Sequence, residues 1–231
     1  YLKAEGRGSL SFYEYGYHSI PNCYAPLDMD AVNTAGISAV QNFPTLMTMG
    51  EGIMIGFVDT GIDYTNPVFR TLDDRTRIAG IWDQTLGNGT PPQGFDYGSA
   101  FSEEQINEAL REEDPLELVP STDVEGHGTF LASVACGSAD PVHRFVGAAP
   151  ESKIAVVKLK PAKDYLKAFY AIRPDALCYQ ENDIILGLAY LNRLAEQEQM
   201  PLVICLAMGT NFGGHNGSTL LSALLDTYAY T

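Results

Sequence analysis

Asp59 closes the apolar run Ile53-Met54-Ile55-Gly56-Phe57-Val58 and leads into Thr60-Gly61-Ile62-Asp63, while His127 stands between Gly126 and Gly128, just ahead of Thr129. A carboxylate at a strand end and an imidazole at a helix start can form a proton relay, in which the acid orients the ring and the ring takes a proton from a nucleophile. A helix N-terminus disfavours an imidazolium by about 0.3 to 1 kcal/mol. A carboxylate in contact favours it by more, about 1 to 3 pKa units. The carboxylate wins, and the ring stays usable as a general base near neutrality. Alone, Asp59 reads as a turn or cap residue that satisfies nearby N–H groups. The His127 setting raises it to chemistry, because flanking glycines let a second backbone or a substrate approach the ring.

Asp59-Thr60-Gly61 after apolar residues also matches the loop of aspartic proteases. That chemistry needs two carboxylates sharing one proton on an all-β fold, and no second Asp-Thr-Gly occurs in the chain. Helical periodicity also contradicts an all-β reading. Ile53–Val58, Ile154–Val157 and Leu202–Leu206 are continuous apolar runs of strand length, the pattern of strands covered on both faces of a parallel sheet. Between them, Ile184, Leu188, Leu191 and Ala195 recur at helical spacing within 182–196, with Asn182 or Asp183 available as N-cap and Gly187 as an interruption. Phe130, Leu131, Val134 and Ala135 mark the buried face of the helix that His127 opens, and Leu220, Leu221, Leu224, Leu225 and Tyr228 mark another, capped by Ser218. The expected fold is α/β: a doubly wound, mostly parallel sheet with helices on both faces and function at the carboxyl ends of the strands. Asp59 lies at such an end, and so does the segment after Leu206.

Two segments fall outside this pattern. Residues 1–50 are tyrosine-rich and irregular, with a short helix expected near Asp30–Ile37 and a loop broken by Pro44; they read as an N-terminal extension or propeptide remnant packed on the core formed by 51–231. Residues 83–120 carry turn signals, a capping box at Ser102-Glu103-Glu104-Gln105, and seven acids from Glu103 to Glu117 against Arg111. They read as a solvated acidic insertion in preference to a cation-binding or partner-docking module.

With 45% apolar residues the composition is globular, and the net charge of -15 argues against nucleic acid and anionic membranes as partners. No apolar run reaches the length of a spanning helix. The start, Tyr1-Leu2-Lys3, carries no initiator Met or signal peptide, as expected of a processed chain or an excised piece. Cys23, Cys136, Cys178 and Cys205 lie far apart without metal-binding spacing and read as buried free thiols, which favours a reducing compartment or a spore interior.

In wording and order, Val58-Asp59-Thr60-Gly61-Ile62-Asp63 followed by Gly126-His127-Gly128-Thr129 resembles the subtilases, the subtilisin-like serine proteases, over Gly50 to the end. Arg77–Gln84, Gly94–Gly98 and Gly214–Ser218 are similar to the Csp-type branch of anaerobic spore formers and gut relatives. The resemblance implies that Asp59 orients His127 and that His127 activates a serine. It also implies that Ala207-Met208-Gly209 pairs through its main chain with an extended peptide or protein substrate. The family commonly has Ser where this chain has Ala207. No cofactor is required; subtilases often bind calcium, but no ligands map onto this chain. The nucleophile serine and the oxyanion-hole Asn follow the helix that begins near Ser218, and these 231 residues contain no Gly-Thr-Ser. Ser133 and Ser218 do not replace it. The expectation is a serine endopeptidase working through an acyl-enzyme in the full-length parent, with this piece inactive and prone to self-associate. The alternative is a pseudoprotease acting as a peptide-binding or germinant-sensing module, against which the intact Asp59 and His127 weigh.

Overall fold

The computed structural model describes residues 34–43, 48–210 and 216–229. Expectations for residues 1–33 and for Pro44, together with Cys23, Gly214 and His215, lie outside them. Five strands form one sheet: β1 (Met54–Asp59), β2 (Ile78–Asp83), β3 (Ser99–Ser102), β4 (Lys153–Lys158) and β5 (Leu202–Cys205), in the order β3-β2-β4-β1-β5. All pairs are parallel except β2 with β3. The expected parallel α/β sheet is therefore present, with one antiparallel edge.

Alternation along β1 sorts the core into two layers. Ile55 and Phe57 face one side, where they join Ile154, Val156, Ile78 and Ile81 beneath α2 (Glu103–Ala109) and α3 (His127–Cys136). Met54 and Val58 face the other, with Ala155, Val157 and Trp82 beneath α5 (Glu181–Glu198) and, at its margin, α6 (Leu220–Ala229). Two short helices, α1 (Ile37–Gln41) and α4 (Asp164–Phe169), lie outside these layers. Within α1, Gln41 is buried and donates to the carbonyls of Gly147 and Ala148, both at 3.0 Å.

Several local expectations are corrected. The buried stripe of α3 is Gly128, Ala132 and Cys136, spaced by four, and Phe130 is exposed. Small side chains line this stripe because the helix lies close to the sheet. The N-cap of α5 is Gln180, without a side-chain cap bond. Asp183 is buried instead, accepting from Tyr97 Oη at 2.8 Å and Lys160 Nζ at 2.7 Å. At α6 the capping oxygen is Thr219 Oγ1, which accepts from Ser222 N at 3.2 Å, while Ser218 Oγ bonds Asn216 Oδ1. Gly187 is no defect: a Cβ there would stand 3.1 Å from Val58 and Val157, so glycine lets α5 sit down on the sheet.

The acidic segment is only partly a solvated insertion. Its capping box forms in both directions, and Ile106 and Ala109 are fully buried in the main core. Phe95 and Tyr97 pack on Trp82, with ring centroids 4.6 and 5.3 Å away. What remains solvated is most of its carboxylates, although Glu103 pairs with Lys153. Cys136 is the one fully buried thiol among the described residues, and burial pushes it up to about 11; Cys178 and Cys205 are half-buried. Among the described residues no helix is long and apolar enough to cross a membrane.

Candidate active site

Period-two alternation sends Asp59 to the same face as Ile55 and Phe57, the face that α3 covers. Gly126, at φ 78°, turns the chain into α3 so that His127 becomes its first residue. Gly128 lets the helix start press against the loop after β1, since a Cβ there would meet Gly61 O at 2.2 Å and Asp59 Cβ at 3.2 Å. As a result His127 Nδ1 lies 2.7 Å from Asp59 Oδ1. The Asp59 side chain is 1% exposed and that of His127 48%.

A buried carboxylate accepts at Nδ1, so in the neutral ring that nitrogen carries the proton and Nε2, on the far edge, holds the lone pair. The arrangement can act as a general base, with its tautomer fixed and the ring half exposed. Thr60 N also donates to Asp59 Oδ1, at 2.7 Å, while Asp59 Oδ2 is buried without a hydrogen-bond partner.

Sequence reasoning missed the group that knits this corner together. Asp123 Oδ1 accepts from Thr60 Oγ1 at 2.8 Å and Gly126 N at 2.9 Å, and its Oδ2 accepts from Thr129 N at 2.8 Å and Thr129 Oγ1 at 2.6 Å. Thr60 Oγ1 in turn accepts from Gly128 N, and Thr129 Oγ1 from Asp63 N, both at 2.9 Å. One carboxylate thus holds the β1 loop and the first turn of α3 in register. Burial pushes Asp123 up, but the bonds from Thr129, Thr60 and Gly126 outweigh it and hold the carboxyl below its ordinary value. The only sequence signal was an Asp four residues before the histidine, within Ser121-Thr122-Asp123, which reads as an ordinary turn.

Asp123→Ala strands four donors, some of which water can reach, and is expected to cost about 2 kcal/mol of unfolding free energy at pH 7. A carboxyl lowered in the folded state stabilises above its unfolded value and loses that contribution as the pH falls through the lowered one. Urea unfolding should therefore show the wild-type advantage whole at pH 7 and diminished at pH 3.

The other expected site residues follow the neighbouring strand. Ala207, Met208 and Gly209 follow β5, the strand next to β1, without regular structure; Ala207 and Gly209 are exposed and Met208 is half-buried against the α5 layer. Cys205 on β5 is raised by burial and then by the charge of Asp59. Tyr179, just before α5, is pushed up to about 12 by burial and then by the charges of Asp59, Glu125 and Asp123. Neither serine considered above reaches the histidine: Ser133 Oγ donates to Phe130 O at 2.8 Å, and Ser218 is tied to Asn216. Among the described residues no three His, Cys, Asp or Glu side chains are grouped to hold a metal ion.

Comparison with known proteins points to one family. The model of the subtilase family matches residues 50–227. The subtilisin-like protease SBT2.4 of Arabidopsis thaliana is 36% identical over 128 residues, covering 47% of this chain and 15% of that protein. The PII-type proteinase of Lacticaseibacillus paracasei is 27% identical over 148 residues, covering 61% of this chain and 7% of that one. Among solved structures, the CspB protease of Clostridium perfringens superposes with a TM-score of 0.73 at 32% identity, covering 88% of this chain and 39% of that one.

Proposed function

The chain belongs to the subtilase family, and from that membership we propose that the full-length protein is a serine endopeptidase that cleaves peptide bonds through an acyl-enzyme. The chain spans only 15% of the length of SBT2.4 and 39% of that of CspB, so the reading concerns the whole protein. Its main support is the 2.7 Å contact between buried Asp59 and half-exposed His127, which leaves Nε2 free to take a proton. In this reading the nucleophile and the oxyanion donors come from outside the described residues. Ala207–Gly209, following the strand that ends the sheet among the described residues, offers main-chain groups to an extended peptide. The same edge strand, with Val203 53% exposed, supports self-association of this piece when it is separated from the rest.

A serine-directed fluorophosphonate tests the reading on the full-length protein. Covalent labelling is expected, and it should vanish in His127→Ala. A full-length protein that stays unlabelled yet binds peptides is a pseudoprotease, and the catalytic reading fails.

A further inference from the structure

Three strand ends place three ionisable side chains in one row. Asp59 on β1 is the cross-strand partner of Lys158 on β4, which is in turn the partner of Asp83 on β2. Residues in register on adjacent strands share a face and stand about 5 Å apart, so the three lie side by side on the face of the sheet that α3 covers. Asp83 is wholly buried. Its Oδ1 accepts from Thr85 N at 2.8 Å and Thr85 Oγ1 at 2.5 Å, and its Oδ2 accepts from Ser121 Oγ at 2.8 Å. Lys158 Nζ lies 3.4 Å from that same Oδ2, with its side chain 16% exposed. The lysine stem runs under the turn after Asp59, its Cδ and Cγ 3.1 and 3.3 Å from where a Cβ on Gly61 would stand.

The ammonium could have paired with Asp59, whose Oδ2 is buried and unpartnered. Had it done so, it would compete with His127 for the one carboxylate that orients the ring. Asp83 holds it one strand further off. There the positive charge still offsets the cost of burying Asp59, since Coulomb interactions outlast contact in a poorly solvated site.

We propose that Asp83 and Lys158 act as a positioning pair, with Asp83 tethering the ammonium away from Asp59 so that its field supports that carboxylate while the carboxylate stays free for His127. The proposal rests on the protease reading for its purpose, but its test does not. The titratable and charged groups on the elements around His127 are Asp59 and Asp63 on β1 and the loop after it, Lys158 on β4, Asp83 on β2, Asp123 and Glu125 before α3, Cys178 and Tyr179 before α5, and Cys205 on β5. Of these, only Asp83 and Lys158 are changed.

In the full-length protein, the midpoint of the His127 ring-proton titration followed by NMR should fall in Asp83→Asn by about half a pH unit, the size expected of one unit charge two strand spacings, about 10 Å, away at an effective dielectric constant near 40. It should rise in Lys158→Met and return to within about 0.2 unit of wild type in the double variant, where both charges are gone. The acid limb of kcat/KM should follow the same order. An ion pair too distant or too screened to act on the ring would lower stability in every variant and leave these midpoints in place. Shifts of one sign, or none, overturn the proposal. An inactive protein showing the opposite-signed shifts would overturn the protease reading and leave the positioning pair standing.

Discussion

His127→Ala in the full-length protein is expected to lower kcat by about 10⁶, and Asp59→Asn by about 10⁴, the losses recorded for the corresponding groups of subtilisin itself. The two differ because their work differs. Without the imidazole a serine loses the base that takes its proton; without the carboxylate the ring survives but loses the acceptor that fixes its tautomer. The 2.7 Å contact and the near-complete burial of Asp59 make the two act as one unit, so the double variant should be no slower than His127→Ala alone. Single-turnover hydrolysis of a peptide ester measures all three, with circular dichroism as the check on folding. Additive losses, or a His127→Ala enzyme within tenfold of wild type, would refute the assignment of His127 as the base.

The same pair shows what can be read from sequence and where reading stops. Ile53–Val58 is apolar on both faces, so its strand and the position of Asp59 at its end were legible. The glycines around His127 announced a close approach without saying what comes close. The structure identifies it as the backbone of Gly61. Asp123 was invisible because its partners Thr60 and Thr129 belong to two elements that meet only in the folded chain. Lys158 and Asp83 were hidden for a related reason: a charged residue at a strand end looks solvated until register sets a partner strand beside it.

The segment from 83 to 120 misled reading for a compositional reason. From Glu103 to Glu117 its acids outnumber its apolar residues, yet burial is decided by a few positions. Ile106 and Ala109 face inward on a helix whose other side carries the carboxylates. Strand β3, only four residues long with serine at both ends, has no hydrophobic pattern of its own and exists through pairing with β2. Conversely, Phe130 seemed a core residue by periodicity and lies outward, because the sheet meets α3 along Gly128, Ala132 and Cys136.

Gly128→Ala is the substitution that should most sharply separate geometry from chemistry, since it alters no ionisable or hydrogen-bonding side chain. The added methyl would stand 2.2 Å from Gly61 O and 3.2 Å from both Gly61 N and Asp59 Cβ. Two of these three atoms are backbone, so no side-chain rotation relieves the overlap, and the first turn of α3 must lift from the sheet. Overpacking against groups that can yield costs about 1 to 3 kcal/mol; here the cost should reach the top of that range or exceed it. A lift of about 1 Å also parts His127 from Asp59, and displacement of that size costs about 10²-fold in rate. Gly126→Ala supplies the contrast. Nothing lies within 4 Å of its Cβ position, and its penalty is the φ of 78° alone, roughly 1 to 2 kcal/mol for a residue with a side chain. It should lose stability while keeping kcat within a few-fold. Urea unfolding and steady-state kinetics on the two full-length variants decide the matter: equal losses of rate would mean that the contact between Gly61 and Gly128 does not set the position of the histidine.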